Sequence, residues 1–453
     1  MPSKLATYLK LHKVPIALAI LSLILYYTFA YQLDRKDFIK LLTLFAAQFF
    51  LCLRIIQFEK WNLKFLLAIG IIFRMVFLLA EPNLSQDFYR FIWDGHLVLN
   101  GLNPYLEVPN TLIEKGDLLI PNAQELHKGM GTLSAKHFSN YPPVNQLLFA
   151  VAALMGGKSI LGSVIAMRIM IMAADLGIVY FGRKLLKKLN RPLHLIFWYF
   201  LNPLVIIELT GNLHFEGVML FFFIWAIHLL SQQRFALAAL PYALSICVKL
   251  VPLLFLPLFL THLKFKKSML FYLLVGAACV ACFVPFYSPV FLDNYGQTIG
   301  LWFSNFEFNA GLYNGIKQIA IGFDAKPWEL IKTYGKLVPV LTVLFILAFT
   351  FFRKNEKLGV LLTSMLGVLA FYYFLSATVH PWYIIFLVLL GVFTEYRFAV
   401  LWSLMVVLSY FAYSNPEFME NLWLLALEYF VVFGFLAYEI FNPKRPKTIF
   451  HKN

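Results

Sequence analysis

Long apolar runs separated by short polar segments dominate the chain, and that pattern predicts helices that cross a membrane. A crossing helix needs about 20 predominantly apolar residues, and short loops rich in Lys and Arg stay on the cytoplasmic side. Together the two rules predict spans over residues 14–31, 40–57, 64–80, 160–182, 193–210, 214–231, 268–287, 336–352, 358–379, 382–395, 398–413 and 421–441. The cluster Arg183, Lys184, Lys187, Lys188 and Arg191 anchors one end of the 160–182 run inside. Only an odd number of crossings then fits between 143 and 183, so the short apolar piece 144–156 reads as re-entrant or interfacial and buried against protein. The segment 235–263 starts after Arg234 and ends before Lys264, Lys266 and Lys267, and Pro241, Lys249, Pro252 and Pro257 interrupt it. Two short helices meeting near Lys249 at the outer side satisfy those constraints. Met1 to Lys13 carries Lys4, Lys10 and Lys13 without a visible cleavage pattern, so the first span is expected to be retained. Lys444, Arg445, Lys447 and Lys452 place the C-terminus inside with the N-terminus.

The expected fold is an all-α polytopic membrane protein, a single integral membrane domain over residues 1–453 with about 12–14 transmembrane helices. A large first extracytoplasmic loop, 81–143, is expected to contain interfacial helices, and a second covers 288–335. No fixed-period repeat or low-complexity tract is visible. Composition agrees: 61% apolar, 18% aromatic and 13% charged residues leave no stretch polar enough for a soluble domain. The net charge of +15 would fit a nucleic-acid partner, but the basic residues lie in small clusters between apolar runs, mostly on the inner side. The acids concentrate on the outer side. Cys52, Cys247, Cys279 and Cys282 all fall in apolar runs with no His nearby, which predicts neither a disulfide scaffold nor a zinc site.

Polar, motif-like sequence therefore collects on one face. Just after the third span comes Ser85-Gln86-Asp87-Phe88-Tyr89-Arg90-Phe91-Ile92-Trp93-Asp94-Gly95-His96. If 86–98 is helical, Asp87, Arg90 and Asp94 share a face, with Phe88, Phe91 and Ile92 turned away. Two carboxylates flanking a guanidinium fit a general base held ionised. They also fit an amphipathic helix on the membrane surface with an ordinary salt bridge. Lys249, between Val248 and Leu250, is a cation in an apolar run, which points to a cavity-facing role or to a lysine that snorkels from a helix end. His214 with Glu216 can contact sugar or phosphate, or sit at a span start. His380-Pro381-Trp382-Tyr383 offers a titratable ring and two aromatics that could stack on a sugar, but for Trp382 and Tyr383 alone an interfacial aromatic belt is the preferred reading. Deeper lie Arg74, Arg168 and Asp175. The last two are seven residues apart on one helical face, where an internal ion pair holding helices together is expected in preference to a place in the donor site. Glu428 has no evident partner in the sequence.

The run from Asp87 to Asp94-Gly95, followed by Gly101-Leu102-Asn103-Pro104-Tyr105, resembles the first-loop signature of the polytopic GT-C glycosyltransferases, mannosyltransferase-like branch. Phe91 stands where that pattern usually has a second Tyr. Tyr141-Pro142-Pro143, Asn202-Pro203, Asn212-Leu213-His214-Phe215-Glu216, Lys249-Leu250-Val251-Pro252 and His380-Pro381-Trp382-Tyr383 follow in the family's order. The resemblance implies an enzyme that moves a hexose, mannose by this branch, from a polyprenyl phosphate sugar to a lipid or glycan acceptor on the extracytoplasmic side. The distribution of basic loops independently places these motifs on the outer side. By resemblance Asp87 takes the base role in a single inverting displacement, with Asp94 as its rival. Lys249, Arg90 and His214 would meet the donor phosphate, and Trp93, Asn103, Tyr105, Tyr141, Glu216, His380, Trp382 and Tyr383 the substrates. No Asp-x-Asp pair is present there, so neither a divalent metal nor another cofactor is expected. A transporter or flippase of lipid-linked saccharides is the alternative, and it would be expected to show internal repeats and mid-membrane charges. The compact loops favour a bacterial inner membrane, with the site facing the periplasm and both termini cytoplasmic.

Overall fold

The computed structural model describes residues 8, 10–116, 120–304 and 306–442, without the side chains of 301–304. Lys4 and the C-terminal Lys444, Arg445, Lys447 and Lys452 lie outside the described residues. Among the described residues every regular element is helical, apart from one isolated bridge between Phe308 and Thr378.

Among the described residues, seven helices are long and apolar enough to cross a bilayer: Lys13–Gln32, Phe38–Glu59, Ile160–Lys188, Phe265–Phe286, Pro327–Phe351, Leu358–Leu375 and Leu422–Phe441. The pair Leu193–Phe200 and Pro203–Gly211, bent by 50°, adds an eighth if counted as one broken span. The remaining expected spans are shorter. Leu63–Val76 is 14 residues long, and Glu216–Ser231, Pro381–Val392 and Phe398–Ser414 fall in the range of 10–17 residues. Two of these contain 3-10 stretches, Pro381–Tyr383 and Val406–Ser414, where the sequence alone reads as continuous apolar chain. The surface matches a hydrocarbon solvent: only 17% of the Phe265–Phe286 window is buried, and Leu273 and Phe430 are 68% and 78% exposed. The chain is an integral membrane protein.

The segment 235–263 breaks at Lys249, as expected. Phe235–Val248 ends at Lys249, whose backbone is extended, and a 3-10 turn Val251–Leu258 then leads into Phe259–Leu263. Asn145 donates to the Val248 carbonyl at 3.0 Å and so closes that helix end. The short Pro143–Gly156 helix is packed between Asp87–Leu99 and Ile160–Lys188. At its crossing with Asp87–Leu99, a Cβ on Gly95 would stand 2.3 Å from the Phe149 carbonyl oxygen, so only glycine allows this approach.

The deep charges pair differently from expectation. Asp175 does not pair with Arg168; it accepts from Arg74 Nε at 2.8 Å and from the Tyr199 hydroxyl at 2.8 Å. Arg168 instead donates to carbonyls of Leu78, Ala80, Thr210 and Gly211. Seven-residue spacing put both side chains inward, but their partners come from other helices, which periodicity cannot name. Arg168 thereby ties the chain entering the Asp87 helix to the turn preceding His214. Glu428 is partnered as well, accepting from Asn309 Nδ2 at 3.0 Å and Trp402 Nε1 at 2.8 Å.

Candidate active site

The Asp87–Leu99 helix begins at Asp87, where the carboxylate complements the helix N-terminus. Its two acids have different surroundings. Asp94 is fully buried and accepts from Arg90 Nε at 2.7 Å, Ser139 Oγ at 2.6 Å and Gln146 Nε2 at 3.1 Å. Arg90 Nη1 donates to the carbonyls of Ser134 and His137 at 2.7 and 3.0 Å, leaving Nη2 buried without a partner. This is a sealed bracket that holds the 134–139 strip against the helix, so the surface-bridge reading of the pair does not stand. Asp87 is half-buried, and among the described residues its carboxylate takes part in no hydrogen bond or ion pair. The expected flanking of Arg90 by two acids thus reduces to one.

The asparagine and tyrosine of the Asn103-Pro104-Tyr105 motif brace the loop. Asn103 donates to the Phe286 carbonyl at 2.7 Å, and the Tyr105 hydroxyl donates to that of Tyr141 at 2.5 Å. Trp93 is buried on the side of His127. Tyr141 packs edge-on against Phe91 and Phe149 at 5.0 and 5.5 Å, and burial, with Asp87 next in effect, raises its hydroxyl's pKa.

Asp87 is also within electrostatic reach of His214, Tyr383 and Tyr413. His214 follows a π-helical turn, Ile206–Gly211, and Leu213, which has φ 64°. A bulky residue in that region costs about 1–3 kcal/mol and persists only where its surroundings hold it. The ring of His214 stacks on Trp382 with centroids 3.8 Å apart, and His380 covers the other face at 4.4 Å. Phe308 continues the column 5.1 Å beyond His380. Trp382 is therefore sandwiched inside the protein and is no interfacial belt residue. Burial pushes His214 down to about 4 and His380 down to about 3, so both imidazoles are neutral near pH 7.

Lys249 is 22% exposed, ion-paired with buried Glu216, and its ammonium lies 5.9 Å from the Tyr383 ring centroid. Tyr383 in turn lines a cavity of about 130 Å³ with Tyr334, Val338, Tyr372, Ser376 and Thr378. That space adjoins the site at Tyr383. Asp87, His214, Glu216, Lys249, His380, Trp382 and Tyr383 are thus brought into one neighbourhood, whereas Trp93, Arg90, Asp94, Asn103 and Tyr105 are engaged in holding the loop.

Two residues at this site were not singled out from the sequence. Glu208 lies in the π-helical turn, fully buried, and accepts from Asn212 Nδ2 at 3.2 Å and from the Tyr410 hydroxyl. An acid inside an apolar run was itself a signal. Arg35, in the first polar loop, holds its guanidinium 5.7 Å from the centroid of Tyr413. No group of three or more His, Cys, Asp or Glu among the described residues has metal-ligand geometry.

The chain matches the family described as alpha-(1->6)-mannopyranosyltransferase, N-terminal domain, over residues 38–264, half of its length. Alpha-(1->6)-mannopyranosyltransferase B of Corynebacterium glutamicum is 30% identical over 156 residues, covering 34% of this chain and 24% of the relative. Alpha-(1->6)-mannopyranosyltransferase A of Mycobacterium tuberculosis is 24% identical over 206 residues, covering 44% of this chain and 38% of the relative. The matches thus span well under half of these curated relatives. The matched family segment contains Asp87, His214, Glu216 and Lys249, while the His380 to Tyr383 corner lies beyond it.

Proposed function

Because the chain belongs to the alpha-(1->6)-mannopyranosyltransferase family, we propose that it transfers mannose from a polyprenyl phosphate mannose to a lipid or glycan acceptor, by a single inverting displacement. Asp87 takes the proton of the acceptor hydroxyl as that oxygen bonds to the anomeric carbon. The bond from that carbon to the phosphate oxygen breaks with its electron pair, releasing polyprenyl phosphate. The observation that carries this reading is the contrast between the two acids. Asp94 has its lone pairs taken by Arg90, Ser139 and Gln146, whereas Asp87 has a free carboxylate within electrostatic reach of His214 and Tyr383.

The donor phosphate is placed at Lys249. Its ammonium has three N–H donors, of which the bond to Glu216 uses one, so Glu216 holds the cation in position and leaves donors for phosphate oxygens. The cavity beside Tyr383 has room for the first isoprene unit of the carrier lipid. Arg90 is buried, with Nε and Nη1 committed to Asp94 and to the Ser134 and His137 carbonyls, so the phosphate is not assigned to it, and the neutral His214 and His380 cannot act as cations. The α-(1→6) linkage in the relatives' names is the linkage proposed for this chain. The site is placed on the periplasmic face of a bacterial inner membrane with both termini cytoplasmic, in keeping with the distribution of basic loops. Neither a metal nor another cofactor is assigned to the reaction.

The test is to incubate the purified protein with a panel of polyprenyl phosphate sugars and a glycolipid extract. Consumption of the mannosyl donor with release of polyprenyl phosphate is expected; consumption of a different sugar donor, or none, would overturn the proposal.

A further inference from the structure

Glu208 is a fully buried acid at the site that the proposed transfer leaves without a task. One of its oxygens, Oε1, accepts from both Asn212 Nδ2 and the Tyr410 hydroxyl. Two donors converge on that oxygen, which leaves Oε2 as the one that faces His214. The other oxygen, Oε2, lies 3.3 Å from His214 Nε2; both atoms are buried, and neither forms a hydrogen bond to the other or to any further described group. Buried polar atoms are rarely left unpaired, and the 3.3 Å approach makes each the candidate partner of the other. The backbone has been bent to bring them together: the His214 N–H donates to the Glu208 carbonyl at 3.1 Å, across the π-helical turn and the left-handed Leu213. Trp382 fixes the plane of the ring. The opposite ring nitrogen, Nδ1, is neither sealed among the buried unpaired atoms nor bonded to any described residue.

We infer that Glu208 is a positioning residue that holds His214 as its Nε2–H tautomer, making Nδ1 a hydrogen-bond acceptor for a hydroxyl of the sugar substrate. The tautomer decides what the site can recognise. With Nε2–H donating to Glu208, the free nitrogen carries a lone pair and suits a hydroxyl proton; it has nothing to donate to a phosphate. His214 thereby moves from the phosphate side of the reaction to hydroxyl recognition next to Asp87. Were the proton on Glu208 instead, Nδ1 would be an N–H donor and would suit the donor phosphate. The assignment of the hydroxyl to a sugar substrate rests on the transfer reading above; the tautomer does not.

The deciding experiment is nitrogen-15 NMR of histidine-labelled protein in nanodiscs at about pH 7.5, without substrate, where neutral histidine dominates. The His214 signals are identified by their loss in His214→Asn. A protonated Nε2 and an unprotonated Nδ1 are expected in the wild type, and a protonated Nδ1 there overturns the inference without recourse to any Glu208 variant. In Glu208→Gln the amide can donate to Nε2, so a shift toward Nδ1–H is expected; an unchanged tautomer in a folded variant contradicts the role of Glu208. A kinetic arm follows. The Asn amide falls where Nδ1 was and the Gln amide where Nε2 was, so His214→Asn should retain about 10-fold more transfer than His214→Gln, the worth of a substrate hydrogen bond. Equal losses would contradict hydroxyl recognition at Nδ1. Failure of the transfer reading would show separately, as an inactive wild type with the NMR result intact.

Discussion

At the scale of the residue, what decides function is which polar atoms remain free. Asp87 and Asp94 are indistinguishable by type and spacing, and in the sequence only the family resemblance favours Asp87 as the base. They separate because Ser139 and Gln146, 45 and 52 positions away in sequence, converge on Asp94. Asp94→Ala is expected to strip Arg90 of its buried counter-ion and destabilise the protein by about 3–5 kcal/mol, read as early thermal inactivation in detergent. A variant with wild-type stability would show that the bracket is dispensable. The two stacked histidines set a pH dependence. Burial holds His214 and His380 at about 4 and about 3, below the ordinary value of 6.5. As pH falls below 6.5 the unfolded chain takes up protons that the folded one refuses, so this stability is present above 6.5 and drains away toward about 4. The thermal midpoint should fall over that interval, and less steeply in His214→Asn. A flat profile would mean that the imidazoles are not sealed.

At the scale of the element, breaks matter more than spans. The break at Lys249 was legible because Pro252 and Pro257 follow a lysine in apolar sequence, and the short 143–156 helix was legible from crossing parity. The π-helical turn at 206–211 was not, since no residue in Ile206-Ile207-Glu208-Leu209-Thr210-Gly211 forbids an ordinary helix. It exists because Arg168 captures the Thr210 and Gly211 carbonyls, a tertiary cause. Likewise the ring column could not be read from His380-Pro381-Trp382-Tyr383, because the second imidazole comes from His214. The Lys249–Glu216 pair joins the Lys249 break to the His214 loop. Lys249→Met should cost about 1–3 kcal/mol, less than for a fully sealed pair because Lys249 is partly exposed. The double variant Lys249→Met/Glu216→Gln should recover most of that stability while donor affinity stays low. If affinity returned with stability, Lys249 would be a structural cation only.

At the scale of the whole molecule, the motifs must share one side of the membrane for a lipid-linked sugar to reach them. Single cysteines replacing Glu114 and Asp324, both exposed, should react with an impermeant maleimide on intact spheroplasts. Those replacing Gln233 and Glu356 should react only after permeabilisation; the reverse pattern would invert the topology. The central claim is that a folded membrane protein transfers mannose with Asp87 as its base, and it is tested most directly by comparing Asp87→Asn with the wild type on polyprenyl phosphate mannose. The account predicts unchanged thermal stability and donor affinity with transfer reduced by about 10²–10⁴-fold, the range for loss of a positioned base. Transfer by Asp87→Asn at near the wild-type rate would contradict it.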